Sequence, residues 1–160
     1  MRLGDLDTVK FKRSRFVAHF PKDYLYSPSH FWLHEVEPGL WRVGLTTFAT
    51  RMLGEIVEFD VETPAESKVD VGQVIGWIEG FKATSDLFCV ARGELVGANE
   101  AALNDVESVC NRPFTDGWLY AVRGTPDPQA TSIEGYLEML GETIDTMEEK
   151  PWQGQEMGTV

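Results

Sequence analysis

The sequence predicts a mainly β protein, a sandwich or a barrel, with one short internal helix and one helix at the C-terminal end. Between His30 and Arg123, short segments rich in Val, Ile, Leu, Trp and Phe alternate with turns that contain Gly, Pro or Asn. Regular short strands separated by such turns are typical of sandwiches and barrels. With 160 residues and 42% hydrophobic content, the chain is long enough to bury one core. We therefore expect one β domain with helical additions.

The domain boundaries follow from where the strand pattern begins and ends. Residues 1–26 are mixed and weakly periodic, and they predict a partly ordered N-terminal arm that carries several cations. Residues 27–125 hold the strand-like segments and form the predicted β domain. These segments, in chain order, are FWLHEV (31–36), WRVGLT (41–46), EIVEFDV (55–61), QVIGWIEG (73–80), DLFCVA (86–91), GELVGAN (93–99) and GWLYAVRG (117–124).

Two segments depart from the strand pattern and predict helices. Residues 46–53, TTFATRML, place apolar side chains at helical spacing, which predicts one short helix. Residues 126–150 contain a possible capping box, Thr131 with Glu134, followed by apolar residues at helical spacing. We expect this C-terminal helix to pack on the sheets, although two internal glycines weaken it. Residues 151–160 predict a flexible tail.

The composition argues against several classes of function. Acidic residues outnumber basic ones by 26 to 14, a formal net charge of −12, whereas binding to nucleic acid or anionic lipid requires clustered Lys and Arg. Cys89 and Cys110 are too few for a disulfide framework, and the sequence shows no signal peptide or membrane span, so we expect a cytoplasmic protein. The sequence contains no phosphate-binding glycine loop and no nucleophile elbow, and His30 with His34 lack a third metal ligand. We expect neither catalysis nor a metal.

One lysine lies in an unusual setting, between two apolar strand segments. The stretch IEGFKATSDLF places Lys82 between QVIGWIEG and TSDLFCVA, at the tip of a predicted hairpin with its amine in water. From spacing alone, the simplest interpretation is a solvated turn lysine.

The same stretch resembles the lipoyl-attachment hairpin of glycine cleavage system H proteins, in the lipoyl and biotinyl domain superfamily. The resemblance runs in order from about Tyr26 to about Leu140, through SPSHFWLHEV, VGLTTFATRMLGEIVEFDVE, GELVGANEAALND, NRPFTDGWLYAVRG and SIEGYLEML. Methionines flank biotinyl lysines, whereas Lys82 has Phe81 and Ala83. The resemblance implies a flattened β-barrel of two packed sheets, with lipoate in amide linkage to Lys82.

The resemblance also implies roles for residues near the hairpin. Glu79 and Gly93 are expected either to be read by the lipoate ligase or lipoyl transferase, or to give the hairpin its geometry. Asp86 is expected to be a polar hairpin residue or a partner contact. Acylation of Lys82 would remove its charge and add an apolar chain that ends in a strained, readily opened disulfide ring.

Two positions depart from the H-protein pattern. Phe31 replaces a glutamate that helps line the cleft for the aminomethyl cargo, and Met52 replaces a cleft histidine. A protonated amine without a partner in an apolar cleft loses several kcal/mol of solvation, whereas a neutral or sulfur-based adduct does not. Alternatively, both side chains merely extend the core, and Glu35 or Glu55 serves the amine.

Three functions are considered on this basis. The segments RVGLTTFATRMLGEIVE and IGWIEGFKATSDLFCVA look closer to lipoate-binding proteins that serve a heterodisulfide-reductase-like complex in bacterial sulfur oxidation, and this client is favoured. One alternative is an H protein that carries the aminomethyl group from glycine decarboxylase to aminomethyltransferase. Another is an unmodified H-like scaffold or regulatory protein. Cys89 is either a thiol that exchanges with the lipoyl arm or, more often for a strand cysteine, an inert buried residue.

Overall fold

The computed structural model describes residues 3–149, which form three antiparallel sheets and four α-helices. A 3-10 helix (Leu3–Asp5) precedes the first strand. The strands are β1 (Thr8–Arg13), β2 (Phe16–Pro21), β3 (Leu25–Tyr26), β4 (Phe31–Glu37), β5 (Leu40–Leu45), β6 (Ile56–Val61), β7 (Lys68–Val69), β8 (Val74–Gly80), β9 (Thr84–Phe88), β10 (Ala91–Ala98) and β11 (Tyr120–Pro126). The helices are α1 (Thr47–Leu53), α2 (Glu100–Asn104), α3 (Glu107–Asn111) and α4 (Ile133–Glu149). The predicted tail at 151–160 lies outside the described residues.

Two of the sheets pack face to face around the main core. The larger sheet has the order β3-β4-β5-β11-β10-β7, and the smaller has the order β6-β8-β9. Alternate residues of both sheets point inward, as Leu33 and Val122 do from the first and Phe59 and Ile78 from the second. The mainly β prediction, with a short helix and a C-terminal helix, is confirmed. The sheets do not close into a barrel.

The N-terminal segment, which the sequence predicts as a partly ordered arm, contains a β-hairpin. Strands β1 and β2 pair from Thr8 with Pro21 to Arg13 with Phe16, around a two-residue turn. Phe16 and Phe20 are buried in a second, aromatic core that also holds residues of β4, α1 and α4. The Phe16 ring packs edge-on against Phe48 at 5.6 Å between centroids. This hairpin is therefore part of the folded body.

The first three residues of strand β4 are buried on both faces of the strand. Phe31 and Leu33 point into the main core, whereas Trp32 between them points into the aromatic core and donates a hydrogen bond from Nε1 to the Pro113 carbonyl. Two cores, one on each side, explain why three successive residues of this strand are apolar.

The short internal helix follows the prediction, and the start of the C-terminal helix differs from it. The Thr46 side chain caps α1 by accepting a hydrogen bond from the Ala49 amide. Helix α4 begins at Ile133, so the residue directly before it is Ser132 and not Thr131, whose backbone amide and carbonyl pair with Tyr26 in an isolated bridge. The Ser132 side chain bonds Glu134 instead. None of the helices in residues 3–149 is both long enough and apolar enough to span a membrane.

Candidate functional site

Lys82 lies at the tip of the hairpin formed by β8 and β9, as the sequence predicts. The two strands pair with Glu79 opposite Thr84, which leaves Gly80–Ala83 to make the turn. The Gly80 amide donates to the Ala83 carbonyl at 2.9 Å and closes this turn. Phe81 is 77% exposed, and Lys82 is exposed beside it. Two consecutive exposed side chains, one of them a large apolar ring, are therefore presented to solvent.

The backbone of the tip is fixed by the segment that follows α1. The Phe81 amide donates to the Glu55 carbonyl at 3.0 Å, and the Lys82 amide donates to the Leu53 carbonyl at 2.8 Å. The hairpin tip and the segment after α1 lie so close together that each needs a glycine. A Cβ at Gly80 would lie 2.2 Å from the Leu53 carbonyl oxygen, and a Cβ at Gly54 would lie 2.9 Å from Lys82 Cγ. Gly54 also has a φ of 81°, which favours glycine. The backbone at Lys82 is thus held by hydrogen bonds, while its side chain is exposed.

The amine of Lys82 has one weak protein partner among the described residues. Its Nζ donates to the Arg51 carbonyl over 3.4 Å, near the C-terminal end of α1. A cation near the carbonyl end of a helix gains a small electrostatic benefit. The long, exposed contact leaves the amine accessible to a modifying enzyme.

Two grooves meet at Lys82, and we call the first of them the α3 groove. It has a volume of about 560 Å³ and lies between the end of α1, the start of β6 and the helix α3. Its polar lining includes Glu55, Glu107, Asn111 and the Cys110 thiol. Two carboxylates thus lie on the side of the lysine that faces α3.

The second groove, which we call the hairpin groove, shares Lys82 and Arg51 with the lining of the first. Its volume is about 440 Å³, and it is bounded by the turn between β1 and β2, by α1 and by the last turns of α4. Its lining is mainly apolar and cationic, with few carboxylates. The lining consists of Arg13, Ser14, Arg15, Phe16, Phe48, Arg51, Met52, Lys82, Ile144, Met147 and Glu148.

The two departures from the H-protein pattern have different placements. Phe31 is only 4% exposed, belongs to the main core and lines neither groove. Met52 is 47% exposed and lines the hairpin groove beside Lys82. Of the carboxylates that were alternatives for binding an amine, Glu55 lines the α3 groove, whereas Glu35 accepts a hydrogen bond from the Gly39 amide at the far turn of β4. The core-extension interpretation therefore fits Phe31 but does not fit Met52.

The two histidines make contacts that account for them without a metal. His30 Nδ1 and the Tyr136 hydroxyl are hydrogen-bonded at 2.8 Å, and burial lowers the pKa of the His30 imidazole. The His34 ring stacks on Tyr24 with 4.5 Å between centroids. Within residues 3–149, no group of three His, Cys, Asp or Glu residues is arranged to hold a metal ion.

Glu79 and Asp86 share the outer face of the smaller sheet. The register pairs Glu79 with Glu58 and Thr84, and Asp86 with Trp77, so all of these side chains point to the same side. Both carboxylates are exposed, and they give the face beside the lysine a negative charge.

Gly93 lies in the other sheet, where its role is strand geometry. It sits opposite Gly124 in β11 and Val69 in β7, with a φ of 152°. A Cβ at this position would lie 2.1 Å from the Arg123 carbonyl oxygen. Close approach of β10 and β11 accounts for this glycine, which lies in a different sheet from the lysine hairpin.

The two cysteines differ in their access to the lysine. Cys89 is fully buried in the main core, its Sγ donates to the Ala91 carbonyl, and burial raises the pKa of its thiol. Cys110 is partly exposed and lines the α3 groove with Lys82. Neither forms a disulfide. This placement favours the inert interpretation of Cys89.

A thiol-labelling experiment tests that difference. In the native protein, iodoacetamide is expected to modify Cys110 at least about a hundredfold faster than Cys89, because buried neutral thiols react only after local opening. Peptide mass spectrometry over time measures both rates, and Cys110→Ser serves as the control that removes the fast phase. Equal labelling of both thiols in the folded protein would contradict the burial of Cys89.

Several groove residues were not predicted from the sequence. Glu107, Cys110 and Asn111 lie on α3, which has only five residues and carries too few turns for a helical period to show. Arg13 precedes the turn of the N-terminal hairpin and Arg15 lies in it, and the sequence does contain a signal for this hairpin. Alternate residues are apolar on both sides of Ser14, at Val9 and Phe11 and again at Phe16, Ala18 and Phe20, which is the spacing of a hairpin.

The fold and the site together define a class of protein. Two packed antiparallel sheets that present an exposed lysine at a rigid hairpin tip make a carrier domain of the lipoyl type. The profile of the Glycine cleavage H-protein family matches residues 24–146. The chain belongs to this family, whose members are non-catalytic carriers with lipoate covalently attached to a lysine.

Individual relatives agree with the family match. The glycine cleavage system H protein of Streptomyces coelicolor is 37% identical over 122 residues, which is 76% of this chain and 97% of that protein. The H protein of Corynebacterium jeikeium is 37% identical over 124 residues, 75% of this chain and 96% of that protein. A crystal structure of the H protein from Mycobacterium marinum matches with a TM-score of 0.69 and 30% identity, over 76% of this chain and 99% of that one. These matches favour the glycine cleavage alternative and give no support to the sulfur-oxidation client.

Proposed function

We propose that Lys82 carries lipoate in amide linkage and that the chain transports the aminomethyl group between glycine decarboxylase and aminomethyltransferase. The observation that carries this proposal is the exposed amine of Lys82 on a tip whose backbone is fixed by hydrogen bonds to residues 53 and 55. When bound, lipoate supplies a disulfide that accepts the aminomethyl group and the electrons released with it. The protein holds the attachment lysine in place, keeps it accessible to other enzymes and surrounds it with charged side chains.

The hairpin tip fits a modifying ligase or transferase. Phe81 offers an exposed apolar contact directly beside the amine, and the backbone geometry of the tip is fixed before the enzyme arrives. Glu79 and Asp86 present carboxylates on one face of the same hairpin. A partner with a basic surface next to its active site would complement that face. Both cysteines are free thiols, which suits a reducing cytoplasm.

The α3 groove offers a place for a positively charged cargo. The aminomethyl group is protonated near neutral pH, and its desolvation requires a carboxylate partner. Phe31 cannot supply one, but Glu55 and Glu107 both line the groove that begins at Lys82. We assign to these two carboxylates the part that a glutamate at position 31 plays in the family pattern.

The direct test is the exchange of labelled bicarbonate into glycine by glycine decarboxylase. The lipoylated chain is expected to support exchange, whereas the unmodified chain is not. Glu55→Gln and Glu107→Gln are each expected to lower the exchange rate roughly fivefold to tenfold, because each removes a charged partner of the ammonium. The matched control is Glu62→Gln, an exposed carboxylate that lines a different groove.

The outcomes of this test separate the possible clients. Absence of exchange with fully lipoylated protein would overturn the glycine cleavage assignment and revive the heterodisulfide-reductase-like client, which the exposed Met52 favours on chemical grounds. Absence of any lipoyl attachment would instead point to a scaffold or regulatory protein. Normal exchange in both glutamine variants would remove the α3 groove from the mechanism.

A further inference from the structure

The N-terminal hairpin, formed by β1 and β2, is an addition to the family fold with a fixed position on it. Its strands end at Pro21, before the part of the chain that matches the family begins. The hairpin is held by edge-on packing of Phe16 on Phe48 and by an ion pair between Arg13 and Asp145 at 3.2 Å. These contacts hold one face of the hairpin on the body of the protein, so the other face has a defined direction.

The other face of the hairpin, which we call the basic face, is exposed. It carries Lys10, Lys12, Val17 and His19. Directly opposite residues of the two strands are paired within this set, so all four side chains point to the same side. Val17 is 47% exposed. The basic face therefore combines two ammonium groups, an imidazole and an exposed apolar side chain.

The charge of the hairpin is opposite to that of the rest of the chain. Residues 8–21 contain four of the 14 basic residues and none of the 26 acidic residues, which leaves ten basic and 26 acidic residues elsewhere. Arg13 forms its ion pair with α4, whereas within residues 3–149 neither Lys10 nor Lys12 forms an ion pair with a carboxylate. The two lysines therefore do not serve to neutralise neighbouring carboxylates of this part of the chain, and their charge is left for a partner.

The turn of the hairpin borders the groove that contains the attachment lysine. Ser14 and Arg15 of the turn line the hairpin groove together with Lys82. Lys12 and Lys10 follow within roughly 14 Å of the turn along β1, because a strand rises about 3.4 Å per residue. An enzyme that acts on a group attached to Lys82 therefore brings its own surface within reach of the basic face.

We infer that the basic face of the N-terminal hairpin docks an acidic surface patch of the enzyme that acts on the lipoyl arm, beside the entrance to that enzyme's active site. This inference rests on the proposed carrier function and adds the chemistry of the partner surface. Opposite charges across an interface speed the encounter and fix its orientation. Because Glu79 and Asp86 give the face of the lysine hairpin the opposite charge, only one orientation of a partner matches both faces.

Two other occupants of the basic face fit the charges of the chain less well. A membrane of anionic lipid is an extended negative surface, which would repel the rest of this acidic chain. A second copy would bring its Glu79 and Asp86 against the basic face, but such a head-to-tail contact builds rings or filaments and would cover the lysine hairpin in each copy. An enzyme partner confines its carboxylates to one patch and leaves the lysine hairpin accessible.

Steady-state kinetics of glycine decarboxylase exchange, with the lipoylated chain as the varied substrate, test the docking. Lys10→Gln/Lys12→Gln is expected to raise the KM for the carrier roughly fivefold and to leave kcat unchanged, because two exposed ion pairs with the partner are lost and no reacting atom is touched. Added NaCl is expected to raise the KM of wild type more than that of this double variant. The matched control is Lys68→Gln/Arg92→Gln, which removes two exposed cations from the larger sheet and is expected to keep the wild-type KM.

A binding measurement without turnover separates this inference from the proposed function. Intact mass and wild-type exchange are measured first, so a failure of lipoylation or of the glycine cleavage assignment is recognised by itself. Glycine decarboxylase and a heterodisulfide-reductase-like complex are then each bound to the immobilised chain. The enzyme that accepts the arm is expected to bind Lys10→Gln/Lys12→Gln roughly fivefold more weakly than wild type.

Four outcomes would overturn the inference. The first is equal binding of both enzymes to wild type and to Lys10→Gln/Lys12→Gln. The second is an equal loss in the control variant, which would reduce the effect to net charge. The third is binding of wild type alone to vesicles of phosphatidylserine and phosphatidylcholine, which would assign the basic face to a membrane. The fourth is self-association of wild type alone in size-exclusion chromatography, which would assign the basic face to a second copy.

Discussion

Replacement of Lys82 by arginine is expected to abolish lipoyl attachment and, with it, all glycine decarboxylase exchange. The guanidinium keeps the positive charge and much of the length of the side chain, but it stays protonated and cannot act as the acyl acceptor. Because Lys82 is exposed and its Nζ has only a long contact with the Arg51 carbonyl, the free energy of unfolding is expected to stay within about 0.5 kcal/mol of wild type. Loss of function without loss of stability would identify the attachment site.

Intact mass after co-expression with a lipoate ligase measures the attachment, and chemical denaturation measures the stability. The matched control is Lys68→Arg, another exposed lysine, which lies on the edge strand β7 of the other sheet. This control is expected to take up one lipoyl group as wild type does. A lipoyl mass increment that persists in Lys82→Arg and disappears in Lys68→Arg would transfer the site to the second lysine.

The lysine hairpin could be predicted because all of its determinants are local. Two apolar strands of alternating pattern flank Phe81–Ala83, so both the turn and the exposure of Lys82 follow from a short stretch of chain. The helix α1 was predictable for the same reason, since its apolar spacing and its Thr46 cap lie within eight residues. Local signals of this kind do not depend on knowing which elements pack together.

The grooves could not be predicted because their walls come from distant parts of the chain. Glu107 and Arg15 each line a groove that includes Lys82, but both are far from it in sequence. The core into which the Phe31 side chain points could not be predicted from the sequence either. The first three residues of β4 are all apolar because a core lies on each side of them, and the sequence cannot show which core a given residue enters. Tertiary packing, and not local propensity, decided these positions.

The N-terminal hairpin shows a third reason for a missed element. Its turn, Ser14–Arg15, contains neither glycine nor asparagine, although Ser14 adopts a φ of 57°. Two-residue hairpin turns usually contain glycine or asparagine at the positions with positive φ, which makes them recognisable in a sequence. Because this turn contains neither residue, the alternation of apolar residues before and after Ser14–Arg15 was the remaining sequence signal for the hairpin.

The second large effect is expected for Gly80→Ala, which would disturb the support of the hairpin tip. The added Cβ would lie 2.2 Å from the Leu53 carbonyl oxygen and 2.7 Å from its carbon. These are backbone atoms of the segment that accepts the Lys82 amide, so the clash cannot be relieved by rotating a side chain. We expect a loss of about 3 kcal/mol in the free energy of unfolding. The displaced tip is also expected to slow lipoylation by a factor of ten or more, because the ligase recognises a fixed backbone geometry. In other enzyme sites, a misplacement of about 1 Å has an effect of this size or larger.

The matched control for this effect is Gly72→Ala, in the turn before β8. Gly72 has a positive φ of 87°, which Gly80 does not have, but a Cβ at Gly72 meets no atom within 4 Å. Its substitution is expected to cost only the backbone strain, about 1 kcal/mol, and to leave the lipoylation rate unchanged. Denaturant unfolding and time-resolved intact mass measure the two quantities for both variants. If Gly80→Ala were lipoylated as fast as Gly72→Ala, the contact between the tip and residues 53–55 would have no part in presenting the lysine, and attachment would depend on exposure alone.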